Sequence, residues 1–177
     1  MAAEIVSFML NGRETVVVTN PLETLQSVLR DRLGYMATKS GCSQGGCGSC
    51  TVLVNGEPMV SCLLPAKDIE GQEVTTLEGL TKSGAGEIHP IQQAFYDNFA
   101  MQCGYCTPGM IMVSKALIDR AQRAGTHPTH DEIAEAISGN VCRCTGYQSI
   151  FEAISDASHR ISGHEWSGGR DIGGKTK

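Results

Sequence analysis

Apolar and polar residues alternate along EIVSFMLNGRETVVVT, residues 4–19, and Asn11-Gly12 interrupts the alternation at its middle. A period of two on either side of Asn-Gly predicts two strands joined by a type I′ turn, because that turn needs positive φ at both central residues. The pattern returns in TVLVNGEPMVS, residues 51–61, around Asn55-Gly56, and a short strand is expected near residues 73–76. Between the hairpins, Asn20-Pro21-Leu22-Glu23 reads as a helix start with an N-cap, a proline at the first position and an early acid. Leu22, Leu25, Leu29 and Leu33 then form one apolar stripe, and Gly34 ends it. Two hairpins, one helix and a late strand predict a small α+β sheet domain over residues 1–80.

Past KSGAGE, residues 82–87, which reads as a linker, the apolar period becomes helical. One helix is expected over residues 90–100. A second starts at Thr107-Pro108, a cap followed by proline, with Met110, Val113 and Leu117 on one face. A third starts at Thr129 with Glu132 three residues on, and a fourth at Thr145 with Gln148 in the same relation, each a capping-box pattern. The fourth is expected to bury Ile150, Ile154 and Ala157. These four helices predict a small bundle over residues 81–161. Residues 162–177, rich in glycine and charge, read as a polar tail that would be ordered only on a partner.

Charge and targeting narrow the class. A net charge of −5 and the absence of a basic arm argue against a nucleic-acid partner. The opening MAAEIVSFML has no basic n-region, and no apolar run reaches the length of a membrane span, so a cytoplasmic chain without membrane insertion is expected. In that setting eight cysteines point to metal rather than to disulfides.

The cysteines fall into two quartets. Cys42-x4-Cys47-x2-Cys50, followed by Cys62, has the spacing of plant-type [2Fe–2S] ferredoxins. Four thiolates and bridging sulfides concentrate negative charge, which must be met by donors. Glycines 41, 45, 46 and 48 let the loop wrap such a cluster and aim backbone N–H groups at sulfur. The second quartet is Cys103-x2-Cys106 and Cys142-x-Cys144, both pairs just ahead of predicted helix starts. Helix N-termini favour thiolate. On residues alone this favours a second [2Fe–2S] cluster and leaves zinc open. With all eight thiols used, histidines 89, 127, 130, 159 and 164 are expected to pack or sit in solvent, with His127 and His130 solvated in a loop. Met110 and Met112 read as core, and Tyr105 and Tyr147 as packing around the second quartet.

The segments QCGYCTPGM, residues 102–110, and GNVCRCTGYQ, residues 139–148, behind a plant-type loop, resemble the small iron–sulfur subunit of the molybdenum hydroxylase (xanthine oxidase) family. The resemblance covers about residues 4–160 and uses all eight cysteines. It implies an N-terminal β-grasp domain for the plant-type cluster and a four-helix domain for the second. It also implies a large partner subunit carrying molybdenum–pterin (molybdopterin cytosine dinucleotide in most bacterial members), a medium subunit carrying FAD, and a dimer of heterotrimers. In this family substrate is hydroxylated with oxygen from water, and electrons leave singly through the two clusters to FAD. The same resemblance places Gln102 on the pterin, Cys144 as the ligand nearest it, and the Cys42/Cys47/Cys50/Cys62 cluster toward the flavoprotein. It leaves the substrate open between an N-heterocycle or aldehyde and carbon monoxide. A free-standing two-cluster ferredoxin and a zinc-stabilised binding module are the readings outside that family.

Overall fold

The computed structural model describes residues 3–81 and 88–163. The linker expected at 82–87 and nearly all of the expected tail lie outside the described residues. Strands β1 (Glu4–Leu10) and β2 (Arg13–Thr19) pair antiparallel, with Asn11 and Gly12 at φ 51° and 77°. Strands β3 (Thr51–Val54) and β4 (Glu57–Val60) repeat the motif, with Asn55 and Gly56 at 52° and 83°. Strand β5 (Glu73–Thr75) runs parallel to β1 and antiparallel to β3, which gives the mixed order β2-β1-β5-β3-β4. This is the α+β class with a β-grasp sheet. Val6, Phe8, Leu10, Val52, Val54 and Val74 bury one face of it against Leu25, Val28, Leu29 and Ile69.

The helix between the hairpins departs from the sequence expectation. Leu22 is 79% exposed, and helix α1 spans only Leu25–Ser27 before passing into a π-turn at Val28–Arg32. Thr24, not Asn20, is the cap, accepting from the Ser27 N–H at 3.2 Å. The reason is tertiary. Ala66 N–H donates to the Glu23 carbonyl, Leu25 N–H donates to Leu64, and Thr24 bridges Pro65, so this backbone is held as a strand edge. The Glu23 carboxylate pairs with Arg32 at 3.1 Å.

A four-residue helix, α2 (Leu77–Leu80), follows β5, and its two leucines pack on the second core. That core is built by α3 (Pro90–Asp97), α4 (Thr107–Arg123), α5 (His130–Ile137) and α6 (Gln148–Ile161). Ile91, Phe95, Met110, Ile133, Ile150 and Ile154 are all buried in it. Burial of one such side chain is worth about 1.5–3 kcal/mol, which fixes the faces these amphipathic helices present. The Thr129–Glu132 capping box forms as expected. A second box, unexpected, sits at His89, whose Nδ1 accepts from the Ile91 N–H while Gln92 reaches back to the His89 N–H. Helix α4 joins the two cores, with Met112 and Ala116 packed on Leu53 of β3. No helix among the described residues is long and apolar enough to cross a membrane.

Candidate iron–sulfur centres

The first collar runs from Gly41 to Cys50, between the π-turn and β3, and Cys62 reaches it from just beyond β4. Cys50 and Cys62 are buried, while Cys42 and Cys47 are half-buried. Glycine is required here by contact. A Cβ at Gly41 would stand 2.7 Å from Cys47 Sγ, and one at Gly45, whose φ is +79°, would stand 2.5 Å from Leu63 Cδ1. The backbone N–H of Gln44 and then the Cys47 side chain hold the Cys42 thiol down at about 7, with N–H groups of Cys47 and Gly46 adding. Burial pushes Cys62 up to about 11, followed by its interaction with Cys50, while the Gly45 N–H works against both.

The second collar is assembled from two loops. Cys103 and Cys106 precede α4, and Cys142 and Cys144 precede α6. Cys103 Sγ and Cys144 Sγ lie 3.5 Å apart and both residues are exposed, whereas Cys106 is buried and Cys142 half-buried. The Tyr105 N–H and then the Cys144 thiol lower Cys103. Burial pushes Cys106 up to about 12, with Cys142 adding. Burial also raises Cys142, but hydrogen bonds from the Thr145 side chain and backbone outweigh it and hold this thiol below its ordinary value. The Cys103 thiol raises Cys144.

The thiols of each quartet pair off: Cys42 with Cys47, Cys50 with Cys62, Cys103 with Cys144, and Cys106 with Cys142. No three His, Cys, Asp or Glu side chains among the described residues meet at one point as a single-ion site. Four thiols in two pairs would hold a [2Fe–2S] cluster, and backbone N–H groups aimed at sulfur would suit its anionic charge. Cys62 and Cys106 are raised by burial, where thiolate without a cation is penalised, and bound iron reverses that sign. The donor set therefore fits the cluster.

Two expectations about the helix starts are corrected. Thr107 is the first helical residue of α4 rather than its cap, and its buried hydroxyl has no partner among the described residues. Thr145 does not cap α6. Its hydroxyl lies 3.1 Å from Cys142 Sγ and accepts from the Tyr147 N–H, and Tyr147 at φ 68° breaks the register before Gln148. Tyr147 packs on the second quartet as expected: its hydroxyl accepts from the Cys142 N–H at 2.8 Å and donates to the Asn140 carbonyl. Tyr105 reaches beyond that quartet. It is 47% exposed, and its hydroxyl donates across to the Ser40 carbonyl beside the first collar at 2.8 Å. His127 is not solvated but half-buried, 2.9 Å from the Ser158 hydroxyl and stacked on His159. His130 is exposed yet stacks on Phe151. Gln102 is exposed next to Cys103, and Met101, Tyr105 and Val141 are exposed apolar neighbours of the same quartet in the chain. Sequence reasoning missed Asn140, which is buried between the collars. Its only signal was an amide placed between an apolar helix end and the Cys142-x-Cys144 pair.

A 2Fe-2S iron-sulfur cluster binding domain family matches residues 3–93, and a [2Fe-2S] binding domain family matches residues 76–155. The chain is 43% identical over 157 residues to the nicotinate dehydrogenase small FeS subunit of Eubacterium barkeri, covering 89% of this chain and 96% of that one. It is 41% identical to the nicotine 6-hydroxylase small subunit of Paenarthrobacter nicotinovorans, covering 86% and 88%. Among solved structures, quinoline 2-oxidoreductase from Pseudomonas putida 86 superposes with a TM-score of 0.82 at 38% identity, over 93% of this chain and 99% of that one. Similarity along nearly the whole length of these relatives, on a chain that carries two cysteine collars on a β-grasp sheet and a helical bundle, leads to one assignment: the chain belongs to the small [2Fe–2S] subunits of the molybdenum hydroxylase family, non-catalytic electron-transfer parts of oxidoreductase complexes.

Proposed function

We propose that Cys42, Cys47, Cys50 and Cys62 hold one [2Fe–2S] cluster, and that Cys103, Cys106, Cys142 and Cys144 hold a second. The plant-type domain then spans 1–80 and the helical domain 81–161. When bound, each cluster supplies a one-electron store whose potential the surrounding N–H donors, charge and exposure tune. The chain passes electrons one at a time from a molybdenum–pterin centre on a large subunit to FAD on a medium subunit or to another acceptor, in a cytoplasmic dimer of heterotrimers. The observation that carries this reading is the asymmetry between the quartets. The second presents an exposed thiol pair, Cys103 and Cys144, beside exposed Gln102 and exposed apolar side chains. Apolar exposure of that kind suits a partner surface rather than water. On this reading Gln102 hydrogen-bonds the pterin and Cys144 is the ligand nearest to it.

The holoenzyme hydroxylates an N-heterocycle or an aldehyde with oxygen from water. The N-heterocycle is favoured because nicotinate, nicotine and quinoline, named in the relatives above, share a pyridine ring. Purification of the native complex tests the scheme. About four iron and four sulfide per small subunit, with two distinct EPR signals on full reduction, are expected. Zinc in either site, or one signal alone, would overturn the two-cluster reading. Turnover of pyridine-ring substrates against aldehydes and carbon monoxide tests the substrate class.

A further inference from the structure

The two collars meet at a seam crossed by hydrogen bonds to backbone carbonyls. Val141 N–H donates to the Cys47 carbonyl at 3.0 Å, so one backbone hydrogen bond joins a ligand of the first quartet to the residue next to Cys142 of the second. One residue on, the Asn140 side-chain amide donates to the Gly48 carbonyl at 3.1 Å. Asn140 is 3% exposed, and its backbone is tied as well as its side-chain amide. Its N–H donates to Ile137 at the end of α5, and its carbonyl accepts from Tyr147, whose hydroxyl also holds the Cys142 N–H.

Space at the seam is set by two glycines. A Cβ at Gly109 would lie 2.1 Å from the Gly48 carbonyl oxygen and 3.0 Å from the Asn140 amide nitrogen. A Cβ at Gly48, whose φ is +69°, would lie 2.6 Å from the same amide. Gly109 stands in the first turns of α4, where glycine is a poor helix residue compared with alanine. Helix propensity does not explain it; the close approach of the collar backbone does. Nor is Asn140 needed merely to satisfy the Gly48 carbonyl, which already accepts from the Thr51 hydroxyl at 2.7 Å and the Thr51 N–H at 3.1 Å. What the amide adds is position.

We infer that Asn140 is a positioning residue: with the bare Cα of Gly109, its amide seats the Gly48 carbonyl so that the Cys47–Val141 hydrogen bond clamps one cysteine collar to the other and fixes the gap between the two centres. This rests on the proposal that both quartets hold clusters. Single-electron transfer between centres and their magnetic coupling both depend steeply on that gap, so Asn140 governs the rate inside the chain without touching iron, pterin or flavin.

The test uses the native complex carrying Asn140→Ala and, as a gentler change, Asn140→Ser. The expected result is wild-type iron content with both EPR signals present, weakened magnetic coupling between them, several-fold slower cluster-to-cluster transfer, and faster hydrogen exchange at the Val141 N–H. Retained coupling, transfer rate and Val141 protection overturn the inference. Loss of a cluster in both variants overturns it too, because Asn140 would then serve assembly rather than spacing. A single EPR signal in the wild-type complex would instead sink the two-cluster proposal on which the inference rests.

Discussion

The first collar is one loop of a sheet domain, completed by Cys62 from just beyond β4, and the second is two loops brought together by helices. In the first, sequence-local glycines do the work: Gly41 leaves room for Cys47, and Gly45 turns at positive φ against Leu63. In the second, distance along the chain is bridged by tertiary packing, and Tyr147, Thr145 and Asn140 hold the Cys142 loop in place. The difference teaches that four ligands can be organised by backbone pliancy or by rigid neighbours. The second solution leaves one thiol pair, Cys103 and Cys144, at the surface.

The largest effects should come from the ligands. Cys47→Ser is expected to abolish the plant-type EPR signal and turnover of the complex while the other signal persists, and Cys106→Ser should abolish the other signal and turnover while the plant-type signal persists. If either change removed both signals, the collars would not be independent sites. Next in size, Gln102→Ala should weaken pterin retention or slow electron egress, with iron content and both signals intact; unchanged turnover and pterin content would remove that role.

A smaller effect separates the collars by packing. Gly45 and Gly104 have nearly the same φ, +79° and +75°, but a Cβ at Gly104 meets nothing within 4 Å. Gly104→Ala should therefore cost about 1 kcal/mol from backbone strain alone. Gly45→Ala should cost more, since Leu63 must also move, and thermal unfolding of the two variants should rank them in that order.

The smallest is a pH effect confined to the helical core. Burial, and then the charge of Lys115, lowers the pKa of His89, whose Nδ1 must stay unprotonated to accept from Ile91. A depressed folded value means the native state binds fewer protons than the unfolded one. This contribution is thus fully present above the unfolded value of about 6.5 and is lost as pH falls toward the folded one. His89→Asn should keep the cap and remove that slope, which unfolding of the complex between about pH 7 and 5 would show. A slope identical in the two proteins would assign it elsewhere.

Both hairpins were legible in the sequence because Asn-Gly turns and period-two strands are local signals, and the Thr129 cap was legible for the same reason. The start of α1 was not. Asn20-Pro21 is a good helix opening by itself, yet Leu64–Ala66, far along the chain, captures the backbone that the first turn would need. The α6 start was misplaced in the same way, because the Thr145 hydroxyl is engaged with Cys142 and Tyr147 instead of capping.

The sequence by itself determined the two quartets, their spacing and the kind of centre they suit, since ligand type and short-range spacing are written in the order of residues. Only the tertiary structure decided which thiols pair, which pair reaches the surface, and that the collars touch through Asn140, Gly48 and Gly109. Those facts depend on where α4 lies against β3. That placement comes from apolar burial summed over two cores, and no short stretch of sequence encodes it.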